Sequence, residues 1–267
     1  TMFFEMARIA KEKRPKVILA ENVKGLVNHD KGNTIAVMVK TLNQLGYIVD
    51  FEVLTSSYHG VPQNRERVFI IAVRGDLENH EEWVTKGTTM IPKRKREIAE
   101  DIETLSFNFD WDEPCQVTTS LFDIMEDDAE VDPKYYLDEE KSQALLVEMD
   151  AAEKQQPVPQ DPIMIGHLNM KGHDAIRRVY HHGAPGPTLT TMGGGHREPK
   201  VYTPHHAIRK LTPLECFRLQ GFTDEQHQAC VDAGVSNSQL YKQSGNAVTV
   251  NVIAHIMRQI KKAGYLD

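Results

Sequence analysis

The chain has 267 residues, of which 40% are hydrophobic and 26% charged, and its formal net charge is -7. These proportions are those of an ordinary globular protein with one large domain or two smaller ones. No apolar run is long enough to span a bilayer and the amino terminus lacks a secretory layout, so we predict a cytoplasmic protein without a membrane partner. Three cysteines without Cys-x-x-Cys spacing argue against a disulfide framework or a structural zinc site.

Residues 1–75 alternate helical and strand patterns. Helices are predicted over residues 1–14 and from Asn33 to Gly46, and strands at Lys16–Asn22, 47–55 and 67–74. This alternation predicts a parallel sheet with crossover helices. Val17–Ala20 is apolar on both faces, as in a central parallel strand. Roughly half of an ordinary sheet of about five or six strands is missing, so this strand is expected to expose an apolar edge.

The middle of the chain, from Leu77 to about Gln160, is acidic and irregular, although Asp138 could cap a short helix. Residues 163–202 are rich in glycine, threonine and histidine and show little periodicity, as expected of recognition loops. The adjacent histidines there are poorly placed to chelate one ion, and we predict no metal site. Basic clusters at 92–96, 176–178 and 209–210 could form a local basic face despite the negative net charge.

Order returns near the carboxyl terminus. Thr212 and Glu215 form a Thr-x-x-Glu capping box with Pro213 at the first helical position. The last segment predicts a turn at Gly245 and Asn246 followed by an amphipathic helix.

Four separated segments and one loop carry a family resemblance. In order and spacing they resemble motifs of the cytosine-5 DNA methyltransferases: "LAENV" (Leu19–Val23), "YHGVPQNRERVFIIAV" (Tyr58–Val73), "RKLTPLECFRLQGF" (Arg209–Phe222), "YKQSGNAVTVNVI" (Tyr241–Ile253) and, at the place of the target-recognition loop, "PTLTTMGGG" (Pro187–Gly195). The resemblance covers essentially the whole chain and is loose only between Asp76 and Pro162.

This resemblance implies the fold and the reaction. The expected fold is α/β: part of a doubly wound S-adenosylmethionine-dependent methyltransferase sheet, with a second, irregular target-recognition domain. Residues 1–76 would be catalytic, 77–240 would recognise the target, and 241–267 would return to the catalytic domain. The implied reaction transfers a methyl group from S-adenosylmethionine to carbon 5 of a cytosine flipped out of double-stranded DNA. The setting would be restriction-modification, or a phage or solitary enzyme.

The catalytic residues implied by the resemblance are Glu21, Arg65 and Arg67. Glu21 matches the acid that hydrogen-bonds the cytosine N3. Arg65 and Arg67 alternate on an extended stretch and are expected to face one side, holding the cytosine carbonyl or Glu21 and a phosphate. The alternatives are a structural pair of Glu21 with Arg67 and a surface ion-pair ladder.

Four residues match the family's cofactor site. Asn246, with Ala247 and Val248 beside it, corresponds to the position that binds the methionine end of S-adenosylmethionine, and a following helix amino terminus would favour its carboxylate. Phe222 matches a ring that packs near the cofactor. A simple capping turn and a core phenylalanine are the competing interpretations.

DNA contacts are expected from the region of the glycine run. Thr188 and Leu189 precede Gly193, Gly194 and Gly195, which in the family lie against the DNA groove. Arg178 is our candidate for a direct base contact, because arginine is the commonest bidentate reader of guanine. Arg177, Arg197 and Lys200 are phosphate contacts or solvated charges.

Cys115 lies in a Pro-Cys-Gln tripeptide, the family's nucleophile motif, but at the wrong place. In the family this motif precedes "ENV", whereas Cys115 follows "QNRER" in an acidic context that disfavours a thiolate. We interpret Cys115 as non-catalytic and Cys216 as a packing residue. The chain is therefore expected to be inactive alone, as part of a longer enzyme or as one subunit of a split enzyme whose partner polypeptide carries the missing motifs.

Two other functions remain open at this point. A catalytically silent DNA-recognition module would tolerate the loss of the family's nucleophile and of its glycine-rich cofactor loop, neither of which stands before "LAENV" in this sequence. An unrelated α/β enzyme acting on a small molecule is the weaker alternative.

Overall fold

The computed structural model describes residues 2–100, 104–112, 114, 116–137, 157–192 and 197–266. The helices are α1 (Met2–Lys13), α2 (Asn33–Gln44), α3 (Met90–Ala99), α4 (Asp174–Arg177), α5 (Pro213–Arg218), α6 (Asp224–Asp232), α7 (Asn237–Asn246) and α8 (Val250–Lys262). The strands are β1 (Val17–Val23), β2 (Tyr47–Thr55), β3 (Gln63–Asn64), β4 (Glu66–Arg74), β5 (Met164–His167), β6 (Arg178–His181), β7 (Gly186–Pro187), β8 (Lys200–Tyr202) and β9 (Ile208–Lys210). None of the helices in these ranges is long and apolar enough to cross a membrane. The short helix predicted after Asp138 lies outside them.

The elements predicted for the first 75 residues are confirmed, with small shifts at their ends. Asn33, predicted to open the second helix, is the first residue of α2, and Gly32 is its N-cap. Gly46 follows α2 at φ +82°, a left-handed conformation that glycine adopts without a steric penalty.

The sheet of these elements differs from the prediction in strand direction. Its order is β1-β4-β2, and β1 pairs with β4 in the antiparallel sense, from Val17 opposite Val73 to Val23 opposite Arg67. The strand buried on both faces is β4, whose residues Val68–Val73 are at most 2% exposed, whereas Ile18 is the one buried residue of β1. An apolar run shows that a strand is covered, but it does not fix the direction of its neighbours. The predicted central parallel strand is therefore wrong for β1.

The chain divides into two compact units, and the division does not follow the predicted boundaries. The first unit comprises Thr1–Leu54, Glu66–Glu113 and Ile256–Asp267, and the second comprises Thr55–Arg65 and Pro114–His255. Residues 77–113 thus group with the predicted catalytic part rather than with the recognition domain, and residues 241–255 group with the second unit.

A buried carboxylate accounts for the first of these differences. Asp50 on β2 is 1% exposed and accepts hydrogen bonds from the Phe109 amide (3.0 Å) and Trp111 Nε1 (2.8 Å). It also pairs with Lys95 Nζ on α3 at 2.7 Å. Burial raises the pKa of Asp50, and the charge of Lys95 opposes that rise. These contacts fasten α3 and residues 109–111 to β2 of the first unit.

The second unit contains a four-stranded sheet that the sequence did not predict. Its order is β5-β6-β8-β9, with β6 parallel to β8 and the outer pairs antiparallel. Strands of three or four residues are too short for alternation to be recognised in the sequence. The predicted capping box of α5 is confirmed, since the Thr212 amide donates to Glu215 Oε2 (2.7 Å) and the Glu215 amide to Thr212 Oγ1 (3.2 Å).

Candidate active site

Glu21 and Arg67 form an ion pair at the end of β1. Arg67 Nε lies 3.0 Å from Glu21 Oε1, and the two side chains are 16% exposed for Arg67 and 25% for Glu21. In the strand register Glu21 faces Phe69 and Arg67 faces Val23, so the pair is diagonal on the β1-β4 ladder. Burial lowers the pKa of Arg67, and the neighbouring Glu21 partly offsets that change. The pair places a carboxylate and a guanidinium side by side at a strand end, still accessible to a polar ligand.

Arg65 is placed differently from Arg67. It lies between β3 and β4 rather than within one continuous strand, so the alternation argument does not extend across it. Its side chain is 4% exposed, and its guanidinium donates to the carbonyls of Leu189 (3.0 Å), Ala247 (2.8 Å) and Gly245 (3.4 Å). The expectation that Arg65 and Arg67 present their groups to one side is therefore not met. Arg67 pairs with a carboxylate, whereas Arg65 binds main-chain oxygens of the second unit.

The loop that resembles a recognition loop is only partly exposed. Leu189 is 1% exposed and packs in an apolar cluster of the second unit, so its side chain is unsuited to the DNA contact predicted for it. Thr188 Oγ1 donates to the Asn64 carbonyl at 2.5 Å. Thr190 and Thr191 are the exposed positions of this stretch. The predicted contacts Gly193, Gly194 and Gly195 lie outside the described residues.

Asn246 closes a helix instead of preceding one. It is the last residue of α7, and α8 begins only at Val250. The predicted support from a helix amino terminus is wrong for Asn246, because the end of a helix carries the negative pole of its dipole. Asn246 is nevertheless exposed, with Ala247 and Val248 half-buried beside it. Its Oδ1 accepts a hydrogen bond from Thr191 Oγ1 at 2.5 Å, which leaves the amide Nδ2 as a donor for a ligand.

Phe222 is half-buried, with its ring centroid 5.5 Å from that of Phe217. Its position therefore agrees with both interpretations of the sequence, since one part of the ring packs on a core residue and another part remains accessible.

The predicted base reader is held by an ion pair. Arg178 Nε lies 2.8 Å from Asp174 Oδ2, and its Nη2 lies 2.5 Å from the same oxygen. The hydrogen bond to Asp174 raises the pKa of Arg178. Their side chains are 41% and 59% exposed, and exposed pairs of this kind contribute little stability. The guanidinium of Arg178 is therefore paired but still partly accessible.

The other basic clusters of the sequence serve the fold itself. Within residues 92–96, Lys95 pairs with Asp50, Arg94 donates to the Lys31 carbonyl and Arg96 to the Thr85 carbonyl. Arg177 Nε donates to the Leu168 carbonyl at 3.0 Å, and Lys200 Nζ donates to the Ile176 carbonyl at 2.7 Å. Burial lowers the pKa of Lys200 to about 8. The clusters of basic residues in the sequence therefore predicted more exposed positive charge than the structure has.

Cys216 does not have the surroundings of a nucleophile. Cys216 is fully buried, and burial raises the pKa of its thiol well above the usual value, which confirms the predicted packing role. Cys230 is half-buried on α6. Cys115 lies outside the described residues. Within the described ranges, no group of three or more His, Cys, Asp or Glu side chains is arranged to hold a metal ion.

Sequence reasoning missed two glutamines that organise this region. Gln63 and Gln220 are both 0% exposed, and each bonds to main-chain atoms of distant segments. Gln63 stands two residues before Arg65, and Gln220 lies in the stretch that precedes Phe222. The sequence carried no clear signal for them, because their partners are main-chain atoms of segments far away in the chain.

Comparisons with known proteins agree with the motifs. The family model described as "C-5 cytosine-specific DNA methylase" matches residues 1–262. The chain is 42% identical to the orphan methyltransferase M.SPBetaI of Bacillus phage SPbeta, over 97% of this chain and 69% of that protein. It is 31% identical to the type II methyltransferase M.HhaI of Haemophilus parahaemolyticus, over 97% of this chain and 67% of that protein.

Solved structures show a similar fold. A Spodoptera frugiperda DNMT2 variant superimposes with a TM-score of 0.60 at 18% identity, over 97% of this chain and 71% of that one. A putative DNA modification methyltransferase from an E. coli prophage gives 0.58 at 17% identity, over 97% and 73%. At these identities the likeness concerns the fold alone.

Proposed function

The chain belongs to the C-5 cytosine-specific DNA methylase family, and from this membership we propose that it acts in methyl transfer to carbon 5 of a cytosine flipped out of double-stranded DNA. The observation that carries the proposal is the Glu21–Arg67 pair, which lies in two family motifs and places an acid and a cation together at a strand end. The mixed α/β architecture is that of an S-adenosylmethionine-dependent methyltransferase.

In this proposal Glu21 hydrogen-bonds the N3 edge of the flipped cytosine, and Arg67 holds Glu21 in position and binds the cytosine carbonyl. Carbon 5 of cytosine is not nucleophilic by itself, so a thiolate must first add to carbon 6. Negative charge then builds up on the ring. Preorganised donors beside N3 and the carbonyl stabilise that charge at the moment it develops.

S-adenosylmethionine would supply the methyl group. The residues that fit it are Asn246, Ala247, Val248 and Phe222. The fit rests on the exposed amide of Asn246 and the partly exposed ring of Phe222 rather than on a helix dipole. The amide Nδ2 can donate to a carboxylate and an aromatic ring can stack on a heterocycle, which are the two ends of this cofactor.

On the DNA side, we assign contacts to Arg178, Thr188 and the glycines at 193–195. To these the structure adds the exposed Thr190 and Thr191.

The cysteines of the chain do not stand where the family motif has its nucleophile. No cysteine precedes Glu21 in the 267 residues, and Cys216 is buried with a raised pKa. We propose that the nucleophile is supplied by another part of the same polypeptide or by a separate polypeptide, so that the 267 residues alone do not methylate DNA.

Transfer of labelled methyl groups to unmethylated duplex DNA tests this proposal. The chain and its Cys115→Ser variant are each assayed alone and with a polypeptide that carries a Pro-Cys-Gln motif. We expect incorporation only in the two mixtures that contain the added polypeptide, and equal incorporation by the wild-type chain and the variant. Incorporation by the chain alone that disappears in the Cys115→Ser variant would make Cys115 the nucleophile and contradict the proposal.

A second candidate function is DNA recognition without catalysis, favoured by the burial of Cys216 and by the position of Cys115 after "QNRER". It predicts binding to duplex DNA with no incorporation in any mixture. Incorporation in the complemented mixture excludes it.

A further inference from the structure

Arg65 bridges two segments that are distant in sequence. Its Nη1 donates to the Leu189 carbonyl at 3.0 Å, and its Nη2 donates to the Ala247 carbonyl at 2.8 Å and the Gly245 carbonyl at 3.4 Å. Leu189 belongs to the loop at 188–192. Gly245 and Ala247 belong to residues 244–248, the last turn of α7 and the start of its link to α8, which we call the turn. All these residues lie in the second unit. One buried guanidinium therefore serves the loop and the turn together.

The loop is also held by Gln63 and Asn64, the two residues that precede Arg65 in the chain. Gln63 Oε1 accepts from the Leu189 amide at 3.0 Å, and Gln63 Nε2 donates to the Leu219 carbonyl at 2.8 Å. Gln63 and Asn64 also pair as strand β3 with β7, directly before the loop. Both main-chain polar groups of Leu189 are thus bonded to residues 63 and 65, which fixes the position of the loop at this point.

The turn is anchored from its other side by Gln220. Gln220 Nε2 donates to the Ser244 carbonyl at 2.7 Å, and its Oε1 accepts from Thr249 Oγ1 at 2.9 Å. Thr249 Oγ1 also lies 2.8 Å from Ser56 Oγ. The turn therefore cannot move without breaking its hydrogen bond to Gln220 or carrying Gln220 with it.

The loop and the turn also touch directly. Thr191 Oγ1 donates to Asn246 Oδ1 at 2.5 Å. A Cβ atom added to Gly245 would lie 2.0 Å from the Thr190 carbonyl oxygen, so that only glycine permits this approach of the two backbones. A displacement of either segment must displace the other or break these contacts.

We propose that Arg65 is a positioning residue that holds the loop 188–192 and the turn 244–248 as one body, so that ligand binding at either segment is coupled to the other. The inference rests on the proposed function in one respect, namely that the loop binds DNA and the turn binds the cofactor. It replaces the catalytic role predicted for Arg65 from its motif. An arginine is required because its planar fork donates to separate carbonyls at once, whereas a lysine ammonium is a single compact donor.

Amide hydrogen exchange of the 267-residue chain tests whether Arg65 holds the loop and the turn together. In Arg65→Lys we expect exchange to accelerate in both segments together by about tenfold or more, as for the loss of a hydrogen bond to a charged group. The matched control is Arg209→Lys, an equally buried arginine of the same unit, which bonds Asp128 and Glu215 instead. It should accelerate exchange around those residues and leave the two segments unchanged. Acceleration in one segment alone, or in neither, overturns the proposal.

If Arg65→Lys does not fold, a less disruptive variant, Thr191→Val, can be used for the same exchange experiment. Thr191→Val removes the exposed hydrogen bond to Asn246 and leaves the core intact. We expect a smaller acceleration that still appears in both segments. Acceleration confined to the loop contradicts coupling.

The functional part is a linkage measurement. The affinity of the chain for S-adenosylmethionine is determined with and without saturating duplex DNA, in the wild type and in Arg65→Lys. Coupling between sites usually amounts to about 5–150-fold. We expect the wild-type ratio to fall towards one in the variant, while the affinity for each ligand alone is kept. An unchanged ratio overturns the proposal, because a merely structural role would weaken both ligands and leave the ratio intact. If the wild-type chain binds neither ligand even in the mixture with the polypeptide that carries the Pro-Cys-Gln motif, the proposed function is refuted, and the exchange experiment then decides the role of Arg65 by itself.

Discussion

Arg67 Nε lies 3.0 Å from Glu21 Oε1, and each side chain keeps a fraction of its surface accessible, 16% for Arg67 and 25% for Glu21. In a fully exposed pair, water would compete for the contact between the two side chains. A fully buried pair could not be reached by a substrate. This pair is shielded enough to keep its geometry and open enough to meet a base edge.

The first prediction concerns Glu21. Glu21→Gln keeps the shape of the side chain but removes the acid, so we expect methyl transfer in the complemented assay to fall roughly 10²–10⁴-fold, the usual contribution of an acid or base in catalysis. Initial rates at saturating S-adenosylmethionine measure the loss. The control is Glu66→Gln, because Glu66 is the strand residue adjacent to Arg67 and pairs with Lys24 instead. A Glu21→Gln enzyme as fast as the Glu66→Gln enzyme would exclude Glu21 from the reaction.

The second prediction concerns the buried pair of the first unit. Lys95→Met leaves the Asp50 carboxylate buried without its cation, and we expect a loss of about 3–5 kcal/mol in the free energy of unfolding by urea. Asp50→Asn combined with Lys95→Met should recover part of this loss. Lys93→Met on the same helix is the control, since Lys93 is 67% exposed and should change stability by at most about 1 kcal/mol. Equal losses in the two lysine variants would show that the buried Asp50–Lys95 pair contributes no more to the free energy of unfolding than an exposed lysine does.

The third prediction concerns Gly245. Alanine normally stabilises a helical position relative to glycine, but the Cβ at 245 would lie 2.0 Å from a backbone oxygen. We therefore expect Gly245→Ala to destabilise the second unit by roughly 1–3 kcal/mol, the usual range for overpacking. Gly25→Ala is the control, because nothing lies within 4 Å of its added Cβ. Thermal unfolding of both variants measures the difference, and a stabilised Gly245→Ala protein would contradict the close approach.

The sequence predicted most elements of the first 75 residues because long apolar patterns and glycine stops are local signals. It did not predict that β4 lies next to β1 in the antiparallel sense, since strand order depends on contacts between distant residues. The short strands of the second unit were missed for a related reason. Strands of three residues such as β8 and β9 exist only through their neighbours.

For the site, the structure brings Glu21 and Arg67 into contact, which agrees both with an arginine that holds the catalytic acid and with the structural pair that was the alternative. The motifs could not show how the donors of Arg65 are used, because its acceptors are main-chain carbonyls more than a hundred residues away. Leu189 illustrates the same limit, since burial of a loop side chain is decided by the core it meets and not by its own motif.

The fourth prediction concerns Arg178 as a base reader. Asp174→Asn removes the carboxylate that now holds Arg178, so we expect tighter binding to cognate duplex DNA. Arg178→Lys loses the bidentate geometry and should weaken discrimination at one base pair by about 1–3 kcal/mol. Competition binding with single base-pair substitutions measures both effects. The control is Arg177→Lys, whose arginine bonds the Leu168 carbonyl. Uniform weakening on all sequences would instead make Arg178 a phosphate contact.

The last prediction concerns pH and Lys200. Burial lowers the pKa of Lys200 to about 8 from its usual 10.5. Between these values the unfolded chain keeps a proton that the folded chain has released, so the contribution of Lys200 to the free energy of unfolding rises with pH across this window. Below pH 8 both states are protonated, and the buried charge destabilises the fold in full.

Lys200→Met should therefore gain stability relative to the wild type below pH 8, and this gain should shrink steadily as the pH rises towards 10.5. Urea unfolding at a series of pH values gives the difference directly. Lys171→Met serves as the control, because Lys171 is exposed and its replacement leaves the buried charge at position 200 in place. A pH-independent difference for Lys200→Met would mean that the carbonyl of Ile176, 2.7 Å from Nζ, compensates the buried charge completely.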